Sequence, residues 1–90
     1  MIYLLIKQTI KDYVVWKNSY DQFLEYRRIG GELSCEIYQP ISNRDEHIIL
    51  SRWKSEESAL EFLESQSFEM IKELEEEEPI SIEFLPQKAV

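Results

Sequence analysis

Hydrophobic and polar positions change period in an orderly way along this chain, and each change marks an element. Ile2, Tyr3, Leu4, Leu5 and Ile6 form a short apolar run that turns polar at Lys7 and Gln8, which predicts a strand from Ile2 to Thr9. Tyr13, Trp16, Tyr20, Phe23 and Arg27 then recur every three or four residues. They share one face of a helix predicted to run from its N-cap, Asp12, to Arg28. Gly30 and Gly31 end that helix, one of them supplying the left-handed conformation that closes it, and Arg27 and Arg28 suit the negative end of its dipole. Period two begins at Glu32. Leu33, Cys35 and Ile37 alternate with Ser34, Glu36 and Tyr38 as far as Gln39, the pattern of a strand with one wetter face. Pro40 to Asp45 reads as a turn, and Glu46 to Lys54 as a strand apolar on both faces at Ile48, Ile49 and Leu50, which completes a hairpin.

Ser55 caps a further helix with Glu56 and Glu57 in its first turn and Ala59, Phe62 and Leu63 on its buried side. The phase slips around Ser65 to Ser67, and Phe68, Ile71 and Leu74 begin a second apolar face, so the region is one bent helix or two short ones. After Pro79, Ile80, Ile82 and Phe84 alternate with Ser81 and Glu83 as a last strand. The order βαββαβ is that of an α+β, ferredoxin-like fold, a four-stranded antiparallel sheet with its helices on one face. In that topology the first and third strands are central. Here those two carry the continuous apolar runs and the other two alternate. A central strand apolar on both faces leaves an apolar strip on the bare side of the sheet, and a second copy of the same sheet is the simplest cover.

Length and charge narrow the function. Residues 1–90 are expected to make one domain, near the size where a partner subunit helps a small core. With 18 acidic against 10 basic side chains, the net charge of −8 repels phosphate backbones, and no basic stripe interleaved with aromatics appears. Neither nucleic acid nor an anionic membrane surface is an expected partner. The longest apolar run is too short to span a bilayer and the start lacks the features of a secretory signal, so the expected location is cytoplasmic. Cys35, a single cysteine, can form no internal disulfide and reads as a small apolar filler.

Three stretches carry a family resemblance. Asp12-Tyr13-x-x-Trp16-Lys17 opens the first helix, and Arg27 or Arg28 with Gly30-Gly31 closes it. Leu50-Ser51-Arg52-Trp53-Lys54-Ser55-Glu56-Glu57-Ser58-Ala59 then runs from the third strand into the second helix. In these the chain resembles the antibiotic biosynthesis monooxygenase-like proteins of the dimeric α/β-barrel superfamily, over nearly its whole length. The resemblance implies a homodimer packed sheet against sheet, with a pocket in each subunit between sheet and helices. It also implies possible cofactor-independent oxygenation of a small or planar aromatic, quinol-like compound; a non-catalytic ligand-binding or dimerisation module of the same fold is the alternative. Haem-degrading members resembling this chain carry a histidine on the second helix and an asparagine early in the first strand. This chain has no histidine on that helix, and Lys7 and Gln8 are the polar positions of its first strand. No cofactor is expected.

Among candidate chemical groups, His47 is the only histidine and the one side chain whose unperturbed titration lies near neutral pH. By alternation it shares a face with Ile49, Ser51 and Trp53, where it could act as a base at a cavity mouth; the plainer reading is a half-exposed histidine at a strand end. Tyr13, Trp16, Tyr20, Trp53 and Phe62 are candidates to wall a substrate pocket, set against the plainer role of filling the core. Tyr26 lies about 60° off the stripe and is a candidate for the dimer surface. Arg52, a charge inside an apolar strand, either meets an anionic ligand or forms an ion pair across the dimer or with Glu36 or Glu83. The acidic run from Glu73 to Glu78 crowds a helix C-terminus where the dipole opposes it, so a solvated end is expected there and no metal site. Gly30 and Gly31 are the only glycines and follow a helix, which leaves no phosphate-binding loop.

Overall fold

Strand β1 (Ile2–Thr9) is followed by helices α1 (Tyr13–Gln22) and α2 (Leu24–Gly30), the hairpin β2 (Glu32–Tyr38) and β3 (Glu46–Trp53), helix α3 (Glu56–Leu63) and strand β4 (Ser81–Leu85). The computed structural model describes residues 1–42, 45–65, 68–69 and 81–85. The four strands form one antiparallel sheet in the order β2-β3-β1-β4, so the strands with continuous apolar runs are the central ones.

Register explains which residues meet the helices. Ile37, Ile49, Ile6 and Ile82 lie side by side across all four strands, and Cys35, Ser51, Leu4 and Phe84 form the next row on the same face. Trp16 and Tyr20 of α1 and Ala59 and Phe62 of α3 pack onto these rows with Trp53, Ile10 and Phe68 to make the core. Burying each large side chain stabilises the fold by about 1.5–3 kcal/mol. The other face carries Leu5 and Leu50 between Glu36 and Glu83, with Ile48 and Lys7 in the neighbouring row. Leu5, Ile48 and Leu50 are half-buried there.

Both expected caps are in place. Asp12 accepts a hydrogen bond from the Val15 amide at 3.2 Å, and Ser55 accepts one from the Ser58 amide at 3.1 Å. Ser65 ends one helical segment and starts another: its hydroxyl donates to the Phe62 carbonyl at 2.6 Å and accepts from the Phe68 amide at 3.2 Å. Of the second apolar face, Phe68 is buried in the core. Ile71, Leu74, the acidic run Glu73 to Glu78, Pro79 and Ile80 lie outside the described residues.

Two expectations require correction. The helix predicted from Asp12 to Arg28 is two helices, broken at Phe23. The break is held by Arg27, whose Nη1 donates to the Tyr20 carbonyl, a group at the helix end that also accepts the Phe23 amide at 3.3 Å. Arg52 makes no ion pair with Glu36 or Glu83 among the described residues; its Nε is buried without a hydrogen-bond partner, and Glu36 instead accepts from the Tyr38 hydroxyl. Arg52 stands opposite Ser34 and Tyr3, one row along the same face from both carboxylates.

Candidate functional site

The aromatic stripe does not simply interdigitate with the sheet; its rings stack into a ladder. His47 lies flat on Tyr13 with ring centroids 5.0 Å apart and planes 8° apart. Tyr13 stacks on Trp16 at 6.1 Å, and Trp16 on Tyr20 at 4.8 Å. The Arg27 guanidinium closes the ladder, 3.7 Å above the Tyr20 ring. Helical spacing on α1 supplies the middle rungs, and β3 and α2 supply the ends.

A β-bulge builds the polar end. Glu32 pairs with Trp53 and Ser34 with Arg52, which leaves Leu33 as the extra residue. The bulge turns Glu32 onto the helix side of the sheet, the same side as Cys35 and Ile37, although unbroken alternation would place it with Ser34 and Glu36. There its carboxylate meets Arg27, whose Nε donates to the two oxygens at 3.2 and 3.1 Å, with side chains only 1% and 2% exposed. Burial pushes the Glu32 carboxyl above the usual carboxylate range, and the neighbouring Arg27 offsets only part of that push. Tyr20, its hydroxyl 3.7 Å from the Cys35 sulfur, is held well above its ordinary value by burial, and burial raises the Cys35 thiol as well. Cys35 is thus a neutral thiol in a packed strand.

Between α1, α2 and the edge strand β2 lies a cavity of about 440 Å³, lined by Tyr13, Tyr20, Leu24, Arg27, Glu32 and Cys35 among others. Next to it, a smaller space of about 270 Å³ is lined by Tyr13, Ile37, Gln39 and His47. Tyr13 and Ile37 border both. His47 is buried, with 4% of its surface exposed, and not half-exposed as the plainer reading had it. The inward alternation of β3 persists to its first turn, and Tyr13 covers the ring. The His47 Nδ1 lies 3.1 Å from the Asp45 carbonyl, which only accepts, so Nδ1 is the donor there, and in the neutral ring Nε2 is then the acceptor.

The remaining candidates lie elsewhere. Trp16 is buried in the core. Trp53 stacks on Phe62 at 5.2 Å, and its Nε1 donates to Ser51 at 2.8 Å, so its indole N–H is committed to the protein. Trp53 and Phe62 also line a separate groove of about 210 Å³ between α2 and α3, with Tyr26 and Arg27. Tyr26 is exposed on this helix side, away from the bare sheet face. Tyr13 and Tyr20 are therefore the expected wall residues that the fold brings together at the main cavity, with His47 beside them. Glu32 and Arg27 were missed as a site. The available signal was a guanidinium placed in an aromatic stripe, which needs a counter-charge once buried. Among the described residues no group of three or more His, Cys, Asp or Glu side chains is placed to hold a metal, and no helix is long and apolar enough to cross a membrane.

Solved structures share this fold from end to end. A conserved protein from Methanosarcina mazei Go1 superposes with a TM-score of 0.74 at 23% identity, covering 97% of this chain and 92% of that one. An antibiotic biosynthesis monooxygenase, so named provisionally, from Bordetella bronchiseptica gives 0.77 at 13% identity over 99% and 97%. Its counterpart from Chloroflexus aurantiacus gives 0.71 at 16% over 100% and 96%. The chain thus has the α+β ferredoxin-like fold of the antibiotic biosynthesis monooxygenase structures, at identities that carry architecture and not chemistry. No family model matches the sequence, and no curated protein does.

Proposed function

We propose that the protein is a homodimeric, cofactor-independent oxygenase of small planar aromatic, quinol-like compounds, working in the crevice between α1, α2 and the sheet. The observation that carries this reading is His47, buried at the end of the crevice, flat on Tyr13, with its Nε2 left as an acceptor by the Asp45 carbonyl. In this reading Nε2 takes the hydroxyl proton of the substrate. The resulting phenolate gives one electron to dioxygen, the aryloxyl radical and superoxide combine at a ring carbon that bears hydrogen, the peroxide anion takes back the proton from Nε2, and the hydroperoxide loses water with that carbon's hydrogen to leave a carbonyl. Tyr13, its ring stacked between His47 and Trp16, borders the space on both sides and offers a flat substrate its edge and hydroxyl. Homodimerisation through the bare sheet face is supported by the half-buried Leu5, Ile48 and Leu50 and by the unpartnered Arg52 Nε.

Oxygen uptake with 1,4-dihydroxynaphthalene and with anthrone tests the chemistry. His47→Gln, which keeps a polar side chain there, should lower uptake about a hundredfold or more, the usual contribution of a positioned base. Uptake equal to that of the wild type removes His47 from the mechanism. Sedimentation at micromolar concentration tests the dimer, and Leu50→Glu should yield monomer. The second reading, a non-catalytic ligand-binding or dimerisation module, is favoured by the burial of Trp16 and Phe62 in the core. It predicts a dimer without oxygen uptake.

A further inference from the structure

The geometry points to Glu32 and Tyr20 as the selecting end of the crevice, binding a neutral phenol through its hydroxyl, which donates to the Glu32 carboxylate. This rests on the crevice being a ligand site, as proposed above, and concerns the end remote from His47.

Three observations converge. First, the 440 Å³ cavity is of a size that takes a small molecule, and its walls include Leu24, Leu33 and Ile37 beside the Tyr20 ring. Second, Glu32 lines that cavity with its side chain almost wholly buried, yet among the described residues one N–H of Arg27 is its only hydrogen-bond donor. A carboxylate presents roughly four acceptor positions, so with each oxygen accepting once about half of its capacity is unused. Third, among the described residues the Tyr20 hydroxyl has only a long contact to the Cys35 sulfur, a weak partner, and Tyr20 lines the same cavity.

The charges around the cavity fit a neutral guest. Arg27 is committed to Glu32 and to the Tyr20 carbonyl, and Lys17 is held by Asp21 at 2.7 Å. Arg28 stands exposed at the rim. The buried acceptor therefore meets the guest first. A hydroxyl satisfies it, an ether leaves it unpaired, and a second carboxylate is repelled by it. Discrimination of this kind arises because a buried polar group without its partner is the expensive outcome.

The test is anaerobic calorimetric titration with 2-naphthol, 2-methoxynaphthalene and 2-naphthoate. The wild type should bind 2-naphthol about tenfold or more tightly than either analogue. Glu32→Gln, which keeps an acceptor and loses the charge, should cut that preference at least about threefold. Should Glu32→Gln fail to fold by circular dichroism, the paired change Arg27→Met with Glu32→Leu removes both charges together and should bring 2-naphthol and 2-methoxynaphthalene to within about twofold. Equal affinities in the wild type, tightest binding of 2-naphthoate, a preference that survives both variants, or no binding of any probe would each overturn the assignment. The two proposals fail separately. Absent oxygen uptake with the naphthol preference intact removes the oxygenase and leaves this site. Oxygen uptake undiminished in a folded Glu32 variant that has lost the preference leaves the oxygenase and shows that productive binding does not use this end.

Discussion

Two adjacent glycines, Gly30 and Gly31, separate helix α2 from strand β2, and the structure assigns them opposite tolerances. Gly31 adopts φ of 121°, and a Cβ built there meets the Ser58 Cβ and Oγ at 2.9 Å each. Gly30 ends α2, and a Cβ on it meets nothing within 4 Å. Gly31→Ala therefore carries two penalties, about 1–3 kcal/mol for a non-glycine residue in a sparsely populated backbone region and about 1–3 kcal/mol for forcing atoms into a packed contact. Their sum, about 2–6 kcal/mol, compares with a total stability of about 5–13 kcal/mol for a chain of 90 residues. Gly30→Ala should be neutral or stabilising by up to about 1 kcal/mol, since alanine is the better helix residue.

Urea unfolding followed by circular dichroism, at one fixed protein concentration because any self-association makes stability concentration-dependent, gives both values. Ser58→Gly in the Gly31→Ala background should recover the steric part and leave the backbone part. Gly31→Ala as well tolerated as Gly30→Ala would refute the reasoning. The consequence reaches the site. Gly31 lets the chain reverse directly into the bulge, its carbonyl accepting from the Lys54 amide at 2.9 Å, so Glu32 arrives beneath Arg27.

Three further outcomes follow from single groups. Ser51→Ala leaves the buried Trp53 indole N–H without its 2.8 Å acceptor and should destabilise the fold by about 1–3 kcal/mol, measured by urea unfolding; a change below about 0.5 kcal/mol would mean the indole finds another partner. Because burial holds the folded-state Glu32 carboxyl above its ordinary 4.5, the native state binds that proton more tightly than the unfolded chain. Its contribution to stability is then complete below about pH 4.5 and is lost as pH rises through the folded value. The wild-type stability relative to Glu32→Gln should fall across that rise, and the opposite slope would show that Arg27 outweighs burial. The Cys35 thiol, raised by burial, should react with Ellman's reagent about tenfold or more slowly at pH 8 in the folded protein than in urea; equal rates would contradict the packing of β2.

Elements written into local pattern were readable from the chain, and those that depend on distant contacts were not. Strand β1 starts with its apolar run and reaches Thr9 as predicted, the order of central and edge strands follows from which runs alternate, and Asp12 and Ser55 cap the helices they precede. The break at Phe23 has no local signature, since Phe23 continues the stripe and no Gly or Pro interrupts it. It is held by a side chain one turn further on that reaches back to Tyr20. The bulge at Leu33 is hidden in the same way, because Leu33, Cys35 and Ile37 alternate perfectly and a straight strand would turn Glu32 outward. His47 was placed on the correct face by alternation, but its burial depends on Tyr13 arriving from α1 to cover it.

Arg27 shows why the polar end of the crevice escapes pattern reading. It occupies a stripe position where a hydrophobe would serve packing, and its guanidinium does three things there: it caps α1 at Tyr20, lies on the Tyr20 ring and holds Glu32. It also stands between two spaces, lining the 440 Å³ cavity on one side and the 210 Å³ groove on the other. A guanidinium used in these ways gives two of its five N–H donors to the protein, the Nε donor to Glu32 and an Nη1 donor to Tyr20, so an anionic ligand that drew it aside would compete with the helix end and with Glu32 for it. What the crevice offers a guest is the acceptor capacity that Arg27 leaves unfilled on Glu32, and this is why selection at that end should favour a hydroxyl over a carboxylate.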